Sequence, residues 1–428
     1  MSAGRRPGKA AGPWSAASAF VAAGPAPSPP SGSTYFATCP RGLEQPLAAE
    51  LRAIGARVDA VSAAGVAFSG DRAIGYLANL HSRIASRVLL RLASGRYRGD
   101  DDLYRLATRC EWERYFDASM TLRVDVSAIR SPLRSLNFAT LRVKDGIVDR
   151  FRARTGERPS IDTERPQVRV YAFMLEREAT LYLDLSGEPL FKRGWRADRD
   201  DKGEAPLKEN LAAGLIALSG WTPGTPLADP FCGSGTILIE AGQIAAGIAP
   251  GLSRGFGFEA LLDHDAALWA GLRADAVRRV QAGAARASAA PIAGSDADPR
   301  AIEQARRNAQ RAGLAPDALA LRCCDVLQAR APGPAPGVVV TNPPYGERLE
   351  LRAAGSPDAA WGEVGRVLKR EFAGWKVFVL TSDARLPAHL GMKEKRRAPL
   401  YNGAIECRLF GFEIFARRED SPAPAPAA

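Results

Sequence analysis

From residue 205 onward, short apolar runs alternate with longer helical stretches, and this alternation limits the possible folds more than any other feature. The runs are Pro226–Asp229, Pro291–Gly294, Leu319–Asp325, Val338–Val340 and Val377–Leu380. Strands that all point one way need crossovers of a dozen or more residues, which helices normally supply. The pattern therefore predicts a parallel, doubly wound sheet with helices on both faces. The last elements break the pattern. Ala398–Tyr401 and Ala404–Phe415 flank Asn402-Gly403, a dipeptide suited to a type I′ hairpin turn. The fold class predicted for this half is α/β, a Rossmann-like sheet finished by an antiparallel hairpin.

The preceding half reads as α+β. Tyr35–Thr38 and Val66–Phe68 look like strands around a helix that puts Leu47, Leu51 and Ile54 on one face. Asp71 opens a second helix with Ile74, Leu77, Leu80 and Ile84. Leu122–Val126 alternates like a strand, and Ala139–Arg154 stacks Val143, Ile147 and Phe151 at helical spacing. Val168–Leu185 reads as a hairpin turning near Glu176–Glu178.

Charge points to a partner class. The chain carries a formal net charge of +11, and each cation beside a phosphate can release a condensed counterion, so a polyanion is favoured. Residues 121–160 hold nine Lys/Arg against four Asp/Glu. Arg142, Lys144, Arg150 and Arg154 lie off the apolar stripe of their helix and can face a phosphate backbone. Six scattered cysteines without a Cys-x-x-Cys pair, and three distant histidines, predict no metal site and reduced thiols in the cytoplasm. No apolar run approaches the ~20 residues of a membrane span, so no membrane partner is expected. Residues 1–33 and 419–428 are rich in Ala, Pro, Gly and Ser and read as disordered tails.

Four motifs carry chemistry. Asp229-Pro-Phe-Cys-Gly-Ser-Gly-Thr236 lies between a strand and a helix. Its glycines allow close approach of a ligand, and the helix N-terminus offers free donors. Gly294-Ser-Asp296-Ala-Asp298-Pro299 ends the second strand. Asp296 is assigned to a ribose and Asp298 to capping the helix that begins at Pro299, with an exchange of the two roles as the alternative. The 67 residues from Asp229 to Asp296 exceed the ~20 of a nicotinamide-binding unit, unless 250–285 is an insertion. Asp325, after the third strand, can accept from an adenine amine. Asn342-Pro343-Pro344-Tyr345 follows a buried strand, where ligands of open α/β sheets bind. The Asn342 side chain and the Pro343 carbonyl can accept from one NH2 group, and Tyr345 offers a stacking face for an extruded base.

In this order the motifs resemble the amino-methylating class I methyltransferases, and more closely the THUMP-domain, RlmL-like family that makes N2-methylguanosine in large-subunit ribosomal RNA. The resemblance covers about residues 34–416. It adds Cys39-Pro-Arg-Gly-Leu-Glu44, Leu141–Asp149, Arg193-Gly-Trp-Arg196, Ala205–Asn210 and Leu400-Tyr-Asn-Gly403 to the motifs above. It implies a ferredoxin-like segment over 34–75, a THUMP RNA-binding domain over 76–188 and a methyltransferase domain over 189–418. It implies S-adenosylmethionine as cofactor, held by Asp229, Phe231, Gly233, Gly235, Thr236, Asp296, Asp325 and Asn342. Asn342, Pro343, Pro344 and Tyr345 would form the catalytic set. The implied partner is RNA, 23S ribosomal RNA or a ribosome precursor. The chain ends before the second, N7-methylating domain that enterobacterial members fuse, so a single activity is expected. A transfer-RNA guanine-N2 enzyme, a DNA amino-methyltransferase and a non-catalytic RNA-binding assembly protein are the alternatives.

Overall fold

The computed structural model describes residues 32–196, 207–287, 290–344 and 357–415. The expected tails lie almost wholly outside these residues, as does Tyr345. Ser33, at the edge of the first tail, already pairs with Gly70. The chain divides into two units. One comprises the residues up to Phe191 together with Gly251–Asp275, and the other Lys192–Pro250 together with the residues from Ala276 onward.

The first unit is built on a seven-stranded sheet. Its strands are β1 (Ser33–Thr38), β2 (Arg57–Ser62), β3 (Gly65–Gly70), β4 (Arg87–Arg96), β5 (Leu122–Ile129), β6 (Val168–Leu175) and β7 (Glu178–Asp184). Their order is β2-β3-β1-β4-β7-β6-β5, with only β5 and β6 parallel. Four helices accompany them: α1 (Glu44–Ala53), α2 (Arg72–His81), α3 (Asp100–Arg109) and α4 (Leu136–Thr155). Asp71 caps α2 by accepting from the Ile74 N–H at 3.0 Å. The helix stops at His81, so Ile84 lies beyond it. The cause is the Glu50 carboxylate on α1, which accepts from the Ser82 hydroxyl (2.7 Å) and the Arg83 and Ile84 N–H groups (3.2 and 3.1 Å). These bonds fix an extended turn that outcompetes another helical turn. Ser135 caps α4 at its start, Gly156 closes it in the left-handed conformation, and Ala139, Val143, Ile147 and Phe151 are buried along it.

The segment 251–275 lies inside the stretch expected to form the methyltransferase domain, yet it packs within the first unit. Phe258 stacks on Tyr76 of α2 at 4.2 Å and meets the Trp269 ring edge-on at 5.0 Å. Its N–H donates to the Leu185 carbonyl, and the Leu262 N–H donates to that of Tyr115.

The second unit has a seven-stranded sheet of β8 (Leu227–Asp229), β9 (Ile292–Asp296), β10 (Ala320–Cys323), β11 (Val338–Thr341), β12 (Lys376–Thr381), β13 (Arg396–Asn402) and β14 (Ile405–Glu413). The order is β10-β9-β8-β11-β12-β14-β13. The strands from β10 to β12 are parallel, and β14 is antiparallel to both β12 and β13. The helices are α5 (Glu209–Ser219), α6 (Thr236–Ala245), α7 (Ala266–Ala287), which begins in the first unit and belongs to this one from Ala276, α8 (Pro299–Arg311), α9 (Pro357–Glu371) and the short α10 (Leu386–His389). Val339, Val377 and Val379 pack with Trp361, Val364 and Leu368 of α9 and with Phe410 and Phe412 of β14 in one apolar cluster. Each such side chain contributes roughly 1.5–3 kcal/mol when fully buried. The final hairpin differs from expectation by one residue. Asn402 pairs with Ile405, so the loop is Gly403-Ala404. Only Gly403 has positive φ, the pattern of a II′ turn rather than I′.

Candidate cofactor and target-base site

The strand order reverses direction between β8 and β11, and an open α/β sheet offers its ligand crevice beside the carboxyl ends of such a pair. β8 ends at Asp229, which is 2% exposed. Its Oδ1 accepts from the Thr341 hydroxyl at the end of β11 (2.6 Å) and from the Phe231 N–H (3.1 Å). Oδ2 has no hydrogen bond among the described residues. Burial, reinforced by the nearby Asp296 charge, pushes the Asp229 carboxyl up to about 7, against the opposing pull of the two donors.

The loop from Pro230 to Gly235 then turns into α6. Gly233 and Gly235 both have positive φ, at 50° and 85°, a conformation that side chains penalise. A Cβ at Gly233 would meet nothing within 4 Å, so the loop is open on that side, whereas one at Gly235 would press on Ala305 at 3.0 Å. The two glycines thus serve different ends, one leaving room beside the loop and the other letting α8 close in.

Asp296, at the end of β9, is tied to this loop. One oxygen accepts from the Gly233 N–H and the other from the Asp298 N–H, each at 3.0 Å. Asp298 caps α8 by accepting from the Arg300 N–H at 2.9 Å, and Pro299 occupies the first helical turn. Asp325 is half-buried and accepts from the Leu327 N–H at 2.8 Å. Phe231 leans on Trp361, with ring centroids 6.1 Å apart. Thr236 is buried, and its hydroxyl accepts from Arg196 at 2.6 Å. Asn342 is half-buried directly after β11, Pro343 is buried and Pro344 exposed.

The fold therefore gathers Asp229, Phe231, Gly233, Gly235, Thr236, Asp296, Asp325 and Asn342 in one unit, at the carboxyl ends of β8, β9, β10 and β11. An open glycine loop, a helix N-terminus and carboxylates at adjacent strand ends suit a nucleoside carrying an amino acid chain. Three contributors were missed in the sequence. Thr341 immediately precedes Asn342 and holds Asp229. Asn308 is a buried polar residue on the apolar stripe of α8, donating to the Ser234 carbonyl at 3.2 Å. Arg196, the last residue of Arg193-Gly-Trp-Arg196, carried no assigned task and donates to Thr236. A polar residue on an otherwise apolar stripe was the available signal for Asn308.

The four candidate RNA-binding cations lie on α4, and all have acidic neighbours. Arg142 pairs with Asp101 at 2.6 Å over the Tyr104 ring, and Lys144 pairs with Asp145 at 2.8 Å. Arg150 forks onto both Glu113 oxygens and is only 12% exposed. Arg154 reaches Glu113 at 3.9 Å and is 60% exposed. The Arg150 contact holds the Glu113 carboxyl below its usual range. Among the described residues no His, Cys, Asp or Glu group could hold a metal, and no helix is long and apolar enough to cross a membrane.

The chain matches three family models in sequence order. They are the RlmL ferredoxin-like domain over residues 34–89, the THUMP domain over 97–184 and the RMKL-like methyltransferase domain over 195–410. It is 42% identical over 397 residues to the ribosomal RNA large subunit methyltransferase K/L of Aeromonas salmonicida (strain A449), which covers 89% of this chain. The chain spans about half (54%) of the length of that curated relative. The solved structure of SMU.472, described as a methyltransferase and complexed with SAH, is 30% identical, with a TM-score of 0.78 over 91% of this chain and 99% of that one. A Listeria monocytogenes (str. 4b F2365) structure, described as a predicted N6-adenine-specific DNA methylase, is 33% identical. Its TM-score is 0.78 over 89% of this chain and 96% of that one. With its S-adenosylmethionine-binding methyltransferase fold behind a ferredoxin-like and THUMP region, the chain belongs to the RlmL-like family of THUMP-containing methyltransferases.

Proposed function

We propose that the chain methylates the exocyclic 2-amino group of a guanosine in 23S ribosomal RNA, in the cytoplasm. The observation that carries this reading is the position of Asn342. It follows a strand end whose Thr341 is bonded to Asp229, so an amide acceptor stands next to the loop assigned to the cofactor. S-adenosylmethionine supplies an electrophilic methyl group when bound. An exocyclic amine is a poor nucleophile because its lone pair is delocalised into the ring. The Asn342 side chain and the Pro343 carbonyl would accept its two N–H bonds and turn the lone pair towards the methyl group. This is an orienting and electrostatic contribution that needs no strong base. Tyr345, three residues after Asn342, would stack on the extruded base. Asp229, Gly233, Asp296 and Asp325 would hold the cofactor, and the basic face of α4 would meet phosphate.

The name of the Listeria structure favours a second reading, because the same acceptor pair fits the 6-amino group of adenine in DNA. The THUMP region favours RNA. The test is methyl transfer by the full chain to 23S ribosomal RNA, transfer RNA and duplex DNA, each followed by nucleoside mass spectrometry. N2-methylguanosine confined to ribosomal RNA is expected. N2-methylguanosine in transfer RNA or N6-methyladenosine in DNA would replace the reading. Cofactor binding without transfer to any of the three would make the chain a binding protein.

A further inference from the structure

At the opposite end of the second unit's sheet lies a cavity of about 880 Å³ that the methyl-transfer chemistry does not use. It is framed by the C-terminal turn of α9, the segment entering β13 and the end of β14. All three meet at the edge where β12 begins, because Lys376 pairs with Glu413 and Arg396 with Gly411. Asp229, Asp296 and Asn342 stand at the other edge, one strand length away, or roughly 15–20 Å at ~3.3 Å per residue.

The lining is strongly basic. Arg366, Lys369, Arg370, Lys393 and Lys395 face one carboxylate, Glu413. Arg366 and Arg370 are paired with Glu363 and Glu371, and Lys369 donates to the Gly391 carbonyl. Cations on the last turn of α9 offset its dipole and need no ligand. That account does not reach Lys393 and Lys395, which come from another segment, are exposed and have no carboxylate partner among the described residues. Beside them Phe415 is 73% exposed, with the Lys395 ammonium 5.9 Å from its ring centre. An exposed aromatic ring flanked by ammonium groups without a carboxylate partner suits an unstacked base and its phosphates.

We infer that this cavity is a second RNA-binding surface, on which Lys393 and Lys395 hold phosphates and Phe415 stacks a base of a single-stranded segment flanking the target. The inference rests on RNA being the substrate. Such a surface would add affinity without touching the reacting atoms, so its loss should raise KM for RNA and leave kcat unchanged.

The test uses the full chain and in-vitro-transcribed 23S ribosomal RNA. One variant carries Lys393→Glu with Lys395→Glu, and the other Phe415→Ala. The double change should weaken binding more than tenfold and flatten the dependence of affinity on salt, by about 0.7 in the log–log slope per lost phosphate contact. Phe415→Ala should weaken it by roughly five- to a hundredfold with the slope unchanged. Both should keep wild-type cofactor affinity and thermal midpoint. If the wild type binds and methylates this RNA while both variants match it, the surface is refuted and the substrate reading stands. A wild type that does not bind RNA refutes both. Loss of a dimer in either variant would mean that the surface meets a second copy of the chain, and would also refute it.

Discussion

Thr341 and Asp229 join the ends of β11 and β8 through a buried 2.6 Å bond, one residue before Asn342. Two kinds of loss can therefore be told apart here. Asn342→Ala removes an acceptor whose proposed task arises in the transition state. It should lower the single-turnover rate by two to three orders of magnitude, ~2.7–4 kcal/mol, with near-normal melting and cofactor affinity. A stable variant with a near-normal rate would remove the catalytic assignment. Thr341→Val instead leaves a buried carboxyl short of a donor, and should cost about 1–3 kcal/mol of stability as well as rate, with Ser restoring both.

Asp229 also makes a forecast in pH. Its folded value of about 7 lies above the unfolded 3.8, so the folded state binds the proton more tightly. Stability from this group is greatest below the unfolded value and falls as pH rises through 7. Asp229→Asn should flatten that slope. Between pH 5 and 8, without cofactor, the wild type should lose about 2–3 kcal/mol relative to the variant. Parallel stability curves from denaturant titrations at several pH values would contradict this.

At the scale of elements, the short apolar runs of the second unit were legible as strands, whereas β4 was not, although Val88, Leu89 and Leu90 form an apolar run in it. β8, β9, β11 and β12 follow from short apolar runs between helices. β2 alternates exposed and half-buried residues around a bulge between Val58 and Ala60, and no local pattern marks it. Its pairing with β3 is a non-local result. The end of α2 was misread for the same reason, since the Glu50 carboxylate that stops it lies more than thirty residues away. The turn of the last hairpin was read one residue early because Asn402-Gly403 and Gly403-Ala404 are both good turn dipeptides, and cross-strand register chooses between them. For the Asp296/Asp298 pair the sequence left an exchange of roles open; the structure has Asp298 capping α8, with Pro299 in the first turn, and the ribose role of Asp296 is a proposal. Asp298→Ala should cost ~1 kcal/mol of stability and little cofactor affinity. Asp296→Ala frees the Gly233 and Asp298 N–H groups together and should weaken S-adenosylmethionine binding far more. Isothermal titration of both variants checks this, and the opposite order would exchange the roles.

For the molecule as a whole, the long gap between Asp229 and Asp296 has a structural meaning that spacing alone could not give. Residues 251–275 leave the second unit's sequence and complete the core of the first, with Phe258 1% exposed between Tyr76 and Trp269. A truncation removing only residues 34–188 would strip Tyr76 and Tyr115 from this segment and expose its aromatic face, so it is a poor test of which unit binds RNA. A point change is cleaner. Phe258→Ala deletes a fully buried ring and should cost ~3–5 kcal/mol. That cost falls on the unit carrying the THUMP region, although residue 258 lies within the methyltransferase family match at 195–410. The variant should therefore lose RNA affinity over a temperature range in which S-adenosylmethionine still binds with near wild-type affinity. Parallel titrations with cofactor and with ribosomal RNA, against rising temperature, give the two midpoints. Their separation by several degrees is expected from a loss of this size in one unit. Simultaneous loss of both ligands would show instead that the segment belongs energetically to the cofactor-binding unit.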